Sequence, residues 1–274
     1  KPAMSHLVFI TFLFIPLSVG MFPHVFQHWL TAKSAKSFRL AIVVHPICIA
    51  IVWLPCILIG VWAAGLAAAG ELTVPNSNAT LGVMVGQLVD NPWLMGLLMA
   101  GVLAAIMSSL DSQFACLGTM FTNDIVIPIK GEDYYSDADK VKLARCFVVG
   151  VVAVAYVLSL LLANSSVFNL GVWCFSGFTA LFPILFAALY WKRVTTVGAY
   201  ACIGVTTVLW FYWFQQSGWG SDKGYSVLGM LPVAPLTLAS TTALIAGSLV
   251  SRPPENRLVN RFFPRASGDG RGGD

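Results

Sequence analysis

The chain has 274 residues, of which 57% are hydrophobic and 10% charged, and its mean hydropathy is +0.78. Soluble domains carry about 25% charged residues and about 45–50% apolar ones, so this composition excludes most soluble enzymes, nucleic-acid-binding proteins and disordered chains. The net charge of +4 is expected to reflect membrane orientation rather than a nucleic-acid partner.

Long stretches without Lys, Arg, Asp or Glu include 2–32, 40–70, 91–110, 146–191 and 194–221. About 20 apolar residues suffice for a helix to cross a bilayer, and the run at 146–191 is long enough for two crossings. The sequence therefore predicts an all-α, polytopic membrane protein with about seven transmembrane helices. The predicted spans are 7–31, 40–66, 94–123, 146–163, 168–191, 196–216 and 229–250. The long, mildly apolar break at 71–91 is expected to hold a short helix.

The basic residues are distributed unevenly between the two sides of this predicted topology. If every break changes side, all Lys and Arg except Lys1 and Lys223 fall on one side, and cytoplasmic loops are the ones that collect these residues. We therefore predict a plasma-membrane (inner-membrane) protein whose first residue is outside and whose tail, 251–274, is cytoplasmic and disordered. Because the chain starts without Met and leads directly into a span, we expect a fragment of a longer protein.

Span one contains residues that interrupt an α-helix. Pro16 removes a backbone hydrogen bond and clashes with the preceding turn, and Gly20 and Pro23 follow in the same span. In transporters, broken helices at the membrane midplane expose backbone groups to ions and substrates. An ordinary proline kink with His24 hydrogen-bonded in the core is an equal alternative. His24 and His28, at i, i+4 spacing, would be a weak metal or haem signal, because no Cys, Asp or Glu accompanies them.

Span three places polar groups inside the bilayer. One helix face carries small and polar residues at i, i+3, i+4 and i+7 spacing, namely Ala105, Ser108, Ser109 and Ser112. Asp111 overlaps this face, and an ionised Asp at mid-membrane costs at least about 2.5–3.5 kcal/mol, so it should face protein, water or a cation. Sodium is a hard ion that prefers oxygen ligands, which favours an ion pathway here. Helix packing by small residues, with Asp111 at the cytoplasmic interface beside Arg or Lys, is the alternative.

The remaining motifs give no sign of catalysis. Span five interleaves aromatic and small polar residues over 173–178, a pattern that suits a pocket wall or a packed helix interface. The six cysteines lie in or beside apolar runs without a CxxC pair, so we expect small core residues rather than disulfides or zinc ligands. Neither a nucleophile–base triad nor a nucleotide-binding motif is visible. We therefore predict that the protein is not an enzyme and has no organic cofactor.

Four stretches are similar to one transporter family. They are 104–112 continuing to 125, the GxxPH pattern at 20–24, 175–178 before a long apolar run, and 191–193 followed by 198–199. Together they resemble the sodium:solute symporter family along nearly all of the chain. The resemblance implies a LeuT-type fold of two inverted five-helix repeats. Residues 1–191 would be the second repeat, 192–250 two accessory transmembrane helices, and the first repeat would lie in the missing N-terminal half of the same protein.

The resemblance also implies functional residues. The main sodium site of the family would use the backbone carbonyl of Ala105 and the hydroxyls of Ser108 and Ser109. A second sodium, bound by some members, would use Asp111 and Ser112, although those relatives have Ser at the position of Asp111. The implied substrate-binding residues are Phe22, His24 and Trp173.

The function implied by the resemblance is symport of a small organic solute by alternating access, with Na⁺ as the coupling ion. The partners would be the solute, sodium, the lipid bilayer and the missing N-terminal half, and no nucleic acid. Two other classes remain as alternatives. One is a transporter-like membrane sensor, and the other is a haem- or quinone-binding redox subunit that uses His24, His28 and His45.

Overall fold

The computed structural model describes residues 5–131, 134–163 and 165–263, and every regular element in them is helical. The α-helices are α1 (His6–Thr11), α2 (Pro23–Leu30), α3 (Phe38–Ala68), α4 (Thr80–Leu88), α5 (Pro92–Met120), α6 (Ile127–Lys130), α7 (Asp137–Leu161), α8 (Val167–Tyr190), α9 (Thr196–Gln216), α10 (Val233–Val250) and α11 (Asn256–Phe262). Three 3₁₀ segments, Phe12–Met21, Ala35–Ser37 and Ser77–Ala79, and a π-helical turn, Phe121–Val126, complete the helical structure.

Six helical stretches among the described residues are long and apolar enough to cross a membrane. They are Ala35–Ala68, Pro92–Lys130, Asp137–Leu161, Val167–Tyr190, Thr196–Gln216 and Val233–Val250. His6–Met21 and Pro23–Leu30 satisfy the same criterion when they are taken together as a seventh, interrupted span. The prediction of an all-α, multi-pass membrane protein is confirmed.

Contacts group the chain into two compact units. The terminal unit combines both ends of the chain, Lys1–Phe22 and Val167–Asp274, and the central unit is Pro23–Ser166. The predicted boundary at residue 191 falls inside the terminal unit, because α8 packs against both α9 and α10. The assignment of 1–191 and 192–250 to a repeat and to accessory helices stays a prediction.

In the terminal unit, α10 packs closely against α9 because small residues line the crossing. Buried residues recur every three or four positions along α10, and they include Leu244 and Ser248. Gly198 of α9 lies so close to this buried face of α10 that a Cβ added to Gly198 would overlap the Ser248 hydroxyl and lie 2.7 Å from the Leu244 carbonyl oxygen. Backbones of membrane helices approach this closely only where side chains are small.

The central unit has its own contacts. Helix α4, the short helix expected in the 71–91 break, packs against α3, where Met84 of α4, Ala63 of α3 and Leu72 of the connecting segment form a buried cluster. Helix α5 meets α7 where Gly118 lies against Ala144 and Val148. Most other apolar side chains of α3, α5 and α7 are exposed among the described residues, as expected of surfaces that lipid or other protein segments cover.

The region after α10 departs from the prediction. The sequence predicts a disordered tail over 251–274, but Asn256–Phe262 forms helix α11. Val259 and Phe262 of this helix, one turn apart, line a cleft with Trp191 and Val194, and the local sequence does not predict this helix. The rest of the predicted tail, 264–274, lies outside the described residues.

Candidate functional site

The predicted cation-binding stripe lies on a long, regular part of α5. The helix begins at Pro92, and the side chain of Asn91 accepts hydrogen bonds from the backbone N–H groups of Trp93 at 2.9 Å and Leu94 at 3.4 Å. Pro at the first helical position and Asn at the N-cap are favourable starts. The helix then continues without interruption to Met120. Residues 105–112 therefore have helical spacing, and the four stripe residues lie on one face of α5, as predicted.

The hydroxyls of the stripe converge on backbone carbonyls. Ser108 Oγ donates to the Ala105 carbonyl oxygen at 3.0 Å, and Ser109 Oγ donates to the same oxygen at 3.3 Å. Ser112 Oγ donates to the Ser109 carbonyl at 3.0 Å. A hydroxyl that donates its proton keeps its lone pairs as acceptors. The structure thus brings three oxygens together at Ala105, and the Ser112 hydroxyl supplies a fourth oxygen one turn further along.

All the stripe residues are exposed among the described residues, so the described part of the chain does not cover them. Asp111 is also exposed, and its carboxylate makes no ion pair or hydrogen bond with the described part of the chain. At 100° per residue, Asp111 sits about 100° around the helix from Ser112. Asp111 therefore flanks the stripe, and the Ala105 cluster does not include it.

The end of α5 carries a feature that sequence reasoning missed. The helix widens into the π-helical turn Phe121–Val126, where the hydroxyl of Thr122 donates to the Gly118 carbonyl at 3.0 Å. The ring of Phe121 stacks on Phe147 with a centroid distance of 4.1 Å. Single π-helical turns inside α-helices often mark functional sites. The polar run at 122–124 was part of the family resemblance, but nothing in it specified the wider turn.

Span one is interrupted, as predicted. Its middle is the 3₁₀ segment Phe12–Met21, which contains Pro16 and ends at Phe22 in an extended conformation. The buried hydroxyl of Thr179, on α8, donates to the carbonyls of Phe14 at 3.2 Å and Ile15 at 3.5 Å. These are the two carbonyls directly before the proline. Thr179 thus stabilises irregular backbone inside an apolar unit, a role that the sequence analysis did not assign.

The residues predicted to bind substrate have different environments. Phe22 is partly buried, and its ring contacts Phe175 at a centroid distance of 5.6 Å and Phe178 at 5.0 Å. His24 is partly buried and is the second residue of α2. His24 belongs to the central unit and Phe22 to the terminal unit. The assignment of both residues to a substrate site stays a prediction.

Trp173, the third predicted substrate residue, lies inside an aromatic cluster. Its side chain is 4% exposed, and its ring contacts Trp210, Phe214 and Tyr225 at centroid distances of 6.1, 5.4 and 5.8 Å. The indole N–H of Trp210 donates to the Trp173 carbonyl at 2.8 Å. These contacts match the packed-interface interpretation for Trp173 itself. Cys174, Gly177 and Phe178 instead line a cleft of about 330 Å³, so the two interpretations of 173–178 apply to different residues of this stretch. Burial raises the pKa of Tyr225, and the neighbouring Tyr212 adds to this effect.

The six cysteines match the prediction of small core residues only in part. Cys116 and Cys202 are buried, as expected of small core residues, but Cys48, Cys56, Cys146 and Cys174 are exposed among the described residues, and all six are free thiols. In the described part of the chain, no three His, Cys, Asp or Glu side chains converge in a way that could hold a metal.

An interrupted first span and an oxygen-bearing stripe on a membrane helix are features found in membrane transport proteins. Comparison with known proteins gives the family. Residues 2–205 match the model of the sodium:solute symporter family, and the chain belongs to this family. The family resemblance expected from the sequence is confirmed.

Curated relatives agree with this assignment. The chain is 30% identical over 252 residues to the sodium/proline symporter of Haemophilus influenzae, covering 88% of this chain and 47% of that protein. It is 28% identical over 256 residues to the sodium/proline symporter of Escherichia coli, with 88% and 46% coverage. It is 27% identical over 244 residues to sodium/proline symporter 2 of Staphylococcus saprophyticus, with 85% and 45% coverage. The chain thus spans just under half the length of these relatives. No solved structure gives a significant match.

Proposed function

We propose that this chain is the C-terminal half of a sodium-coupled symporter that carries a small amino acid, with proline as the first candidate. Membership of the sodium:solute symporter family and the names of the relatives, sodium/proline symporters, support the choice of ion and solute. The observation that carries the proposal is the pair of hydroxyls, from Ser108 and Ser109, on the Ala105 carbonyl in a membrane helix. Asp111 and Ser112 are the proposed ligands of a second sodium ion.

The spacing of these oxygens suits a small hard cation. Oxygen ligands of Ca²⁺, another hard cation, lie about 2.3–2.6 Å from the ion, so neighbouring ligands at right angles are about 3.3–3.7 Å apart. The Ser108 and Ser109 hydroxyl oxygens lie 3.0 and 3.3 Å from the Ala105 oxygen. Small side-chain rotations would bring all three oxygens onto one ion. Three oxygens are fewer than such an ion prefers, so the proposal assigns the remaining ligands to the N-terminal half.

The proposed substrate path uses the interruption of span one. Irregular backbone beside Pro16 and the partly buried ring of Phe22 offer backbone polar groups and an apolar face, the combination that suits the charged groups and the ring of proline. His24 is the proposed polar contact. Contact with Trp173 would require the aromatic cluster around it to open. The whole transport cycle needs no covalent chemistry.

The proposed orientation places the first residue outside and the C-terminal end in the cytoplasm of a plasma-membrane protein. The strong bias of Lys and Arg to one side supports it. Sodium then enters from outside, stabilises the outward-facing form and leaves inward. Each charge moved through the membrane contributes about 2.3 kcal/mol per 100 mV, which drives uptake of the solute.

The test is uptake of radiolabelled proline by proteoliposomes that contain the full-length protein, with sodium or with choline outside. We expect sodium-dependent uptake. Ser108→Ala and Ser109→Ala each remove one oxygen from the cluster and should raise the sodium concentration for half-maximal uptake about 10–100-fold, the range typical for loss of a supporting metal contact. Asp111 lies outside the Ala105 cluster, about 100° around the helix from Ser112, so Asp111→Asn should raise the sodium concentration for half-maximal uptake by less.

Ser159→Ala is the matched control. Ser159 is an exposed residue of α7 whose hydroxyl donates to the Tyr156 carbonyl at 2.7 Å, the same local bond without a second hydroxyl on that oxygen. This variant should keep the sodium dependence of the wild type. If Ser108→Ala and Asp111→Asn also keep it, the assignment of the sodium site is wrong. If uptake is equal in choline, sodium coupling itself is wrong.

A further inference from the structure

A cleft of about 240 Å³ lies in the terminal unit where the end of α8 and the following loop meet α11. Its walls are mainly apolar and include Trp191, Val194, Val259 and Phe262. Of the described residues that line it, Lys192 is the one that carries a charge. The Lys192 ammonium lies 5.8 Å from the centroid of the Phe263 ring, so the cation is held at the rim of an aromatic surface.

The surroundings of the cleft are basic. Arg252 and Arg257 are exposed in the segment that leads into and forms α11, where Glu255 is the one acidic residue between them. Arg193 uses Nη2 to donate to the carbonyls of Leu249 at 3.3 Å and Ser251 at 3.2 Å. Its Nη1 is buried and has no hydrogen-bond partner among the described residues. Burying a donor without an acceptor costs free energy, so Arg193 Nη1 would gain from an added acceptor. This end of the unit thus combines positive charge with an unused hydrogen-bond donor.

The cleft lies at the level where lipid headgroups are expected. Helix α8 ends at Tyr190 and helix α10 ends at Val250, directly before the loops that contribute to this end of the unit. Phe262 is 75% exposed although it shares a short helix with Arg257. An exposed aromatic ring beside basic residues at the end of spanning helices is typical of the interface between membrane and water.

We propose that this cleft binds one anionic phospholipid, with its phosphate at Lys192 and the beginning of an acyl chain against Trp191, Val259 and Phe262. Basic pockets between membrane helices on the cytoplasmic side are suited to anionic headgroups. At about 240 Å³, the cleft is smaller than the pockets of about 300–1,000 Å³ that enclose soluble ligands. An amphiphile that extends out of the cleft into the bilayer fits this size and these mainly apolar walls. An acidic peptide would use the basic residues but would not require the apolar walls.

The lipid site rests on the proposed orientation only for the leaflet that supplies the lipid, and it is independent of sodium coupling. The test therefore uses the purified full-length protein without sodium or proline, delipidated in detergent and titrated with phosphatidylglycerol or phosphatidylcholine. Native mass spectrometry counts the bound lipids. We expect one phosphatidylglycerol site that binds at least tenfold more tightly than phosphatidylcholine.

Two variants and one matched control define the site. A basic residue near an anionic surface contributes about 1 kcal/mol, so Lys192→Gln and Arg257→Gln should each weaken phosphatidylglycerol binding about fivefold. Lys142→Gln removes the same charge from an exposed position in α7 and should change nothing. Phe262→Ser should weaken both lipids, because the apolar wall does not distinguish headgroups.

Three results would overturn the lipid site. One is equal binding of the two lipids, and another is equal binding by Lys192→Gln and Lys142→Gln. The third is displacement of phosphatidylglycerol by inorganic phosphate at the same concentration, which would show a simple anion site. Loss of sodium-dependent uptake with intact lipid binding would instead count against the transport proposal alone.

Discussion

Replacing Gly198 with alanine tests whether the close crossing of α9 and α10 stabilises the terminal unit. A Cβ at this position would overlap the Ser248 hydroxyl and lie 2.7 Å from the Leu244 carbonyl oxygen, whereas ordinary Cβ contacts begin at 3.4 Å. The carbonyl belongs to the backbone of α10, so the two helices must separate by about 0.7 Å or more. Overpacking of this kind costs about 1–3 kcal/mol.

Gly204→Ala is the matched control on the same helix. Gly204 is exposed, and a Cβ there has no neighbour within 4 Å. Both substitutions share the gain of about 0.5–1 kcal/mol from replacing glycine in a helix by alanine. The difference between the two variants therefore isolates the steric cost, and it should equal about 1–3 kcal/mol.

The assay is unfolding of the full-length protein in detergent, followed by tryptophan fluorescence, since Trp210 lies on α9 and Trp173 on the adjoining α8. Gly198→Ala should unfold at lower temperature or denaturant concentration than the wild type, and Gly204→Ala at an equal or higher one. If the two variants unfold together, the helices do not approach at Gly198 as the structure has them.

Two further predictions concern the terminal unit. Thr179→Val should reduce the free energy of unfolding by about 0.6–1.7 kcal/mol, the range for interhelical hydrogen bonds in membranes, because the carbonyls before Pro16 lose their donor. Thr242→Val, at an exposed threonine that bonds only within α10, should be near neutral, and equal losses would contradict the interhelical role. Burial raises the pKa of Tyr225, so its contribution to stability is complete below the unfolded-state pKa of about 10 and is lost as the pH rises through the higher folded-state value. Tyr225→Phe should remove this alkaline decline in unfolding titrations, and an unchanged decline would assign it to another group.

Several features of the fold were predictable because they depend on local sequence. Charge-free runs of sufficient length predicted the spanning helices, since burial of apolar residues in lipid requires an internally hydrogen-bonded backbone. Pro16 and the residues around Gly20 predicted the interruption of span one, because proline cannot donate to the preceding turn. Helical periodicity alone placed the oxygens of Ser108 and Ser109 on one face.

Other features were not predictable because they depend on residues distant in the chain. The tail was predicted to be disordered, but Asn256–Phe262 forms helix α11, and its Val259 and Phe262 line a cleft with Trp191, about 70 residues earlier. Nothing near Trp173 in sequence reveals that Phe214 and Tyr225 bury its ring. The sequence predicted that the four stripe residues share a helix face. It did not predict that two hydroxyls donate to one carbonyl, because this depends on the side-chain rotamers of Ser108 and Ser109.

The sequence by itself determined that this chain is a multi-pass helical membrane protein, where its helices run and which helix carries the polar stripe, because composition and periodicity act over one helix at a time. The tertiary structure decided what those residues contact: which threonine stabilises the irregular backbone, which glycine permits two helices to cross, and where basic and aromatic residues form a cleft. These outcomes depend on steric fit and hydrogen bonds between segments about 50 or more residues apart, and a local pattern holds no information on such pairs.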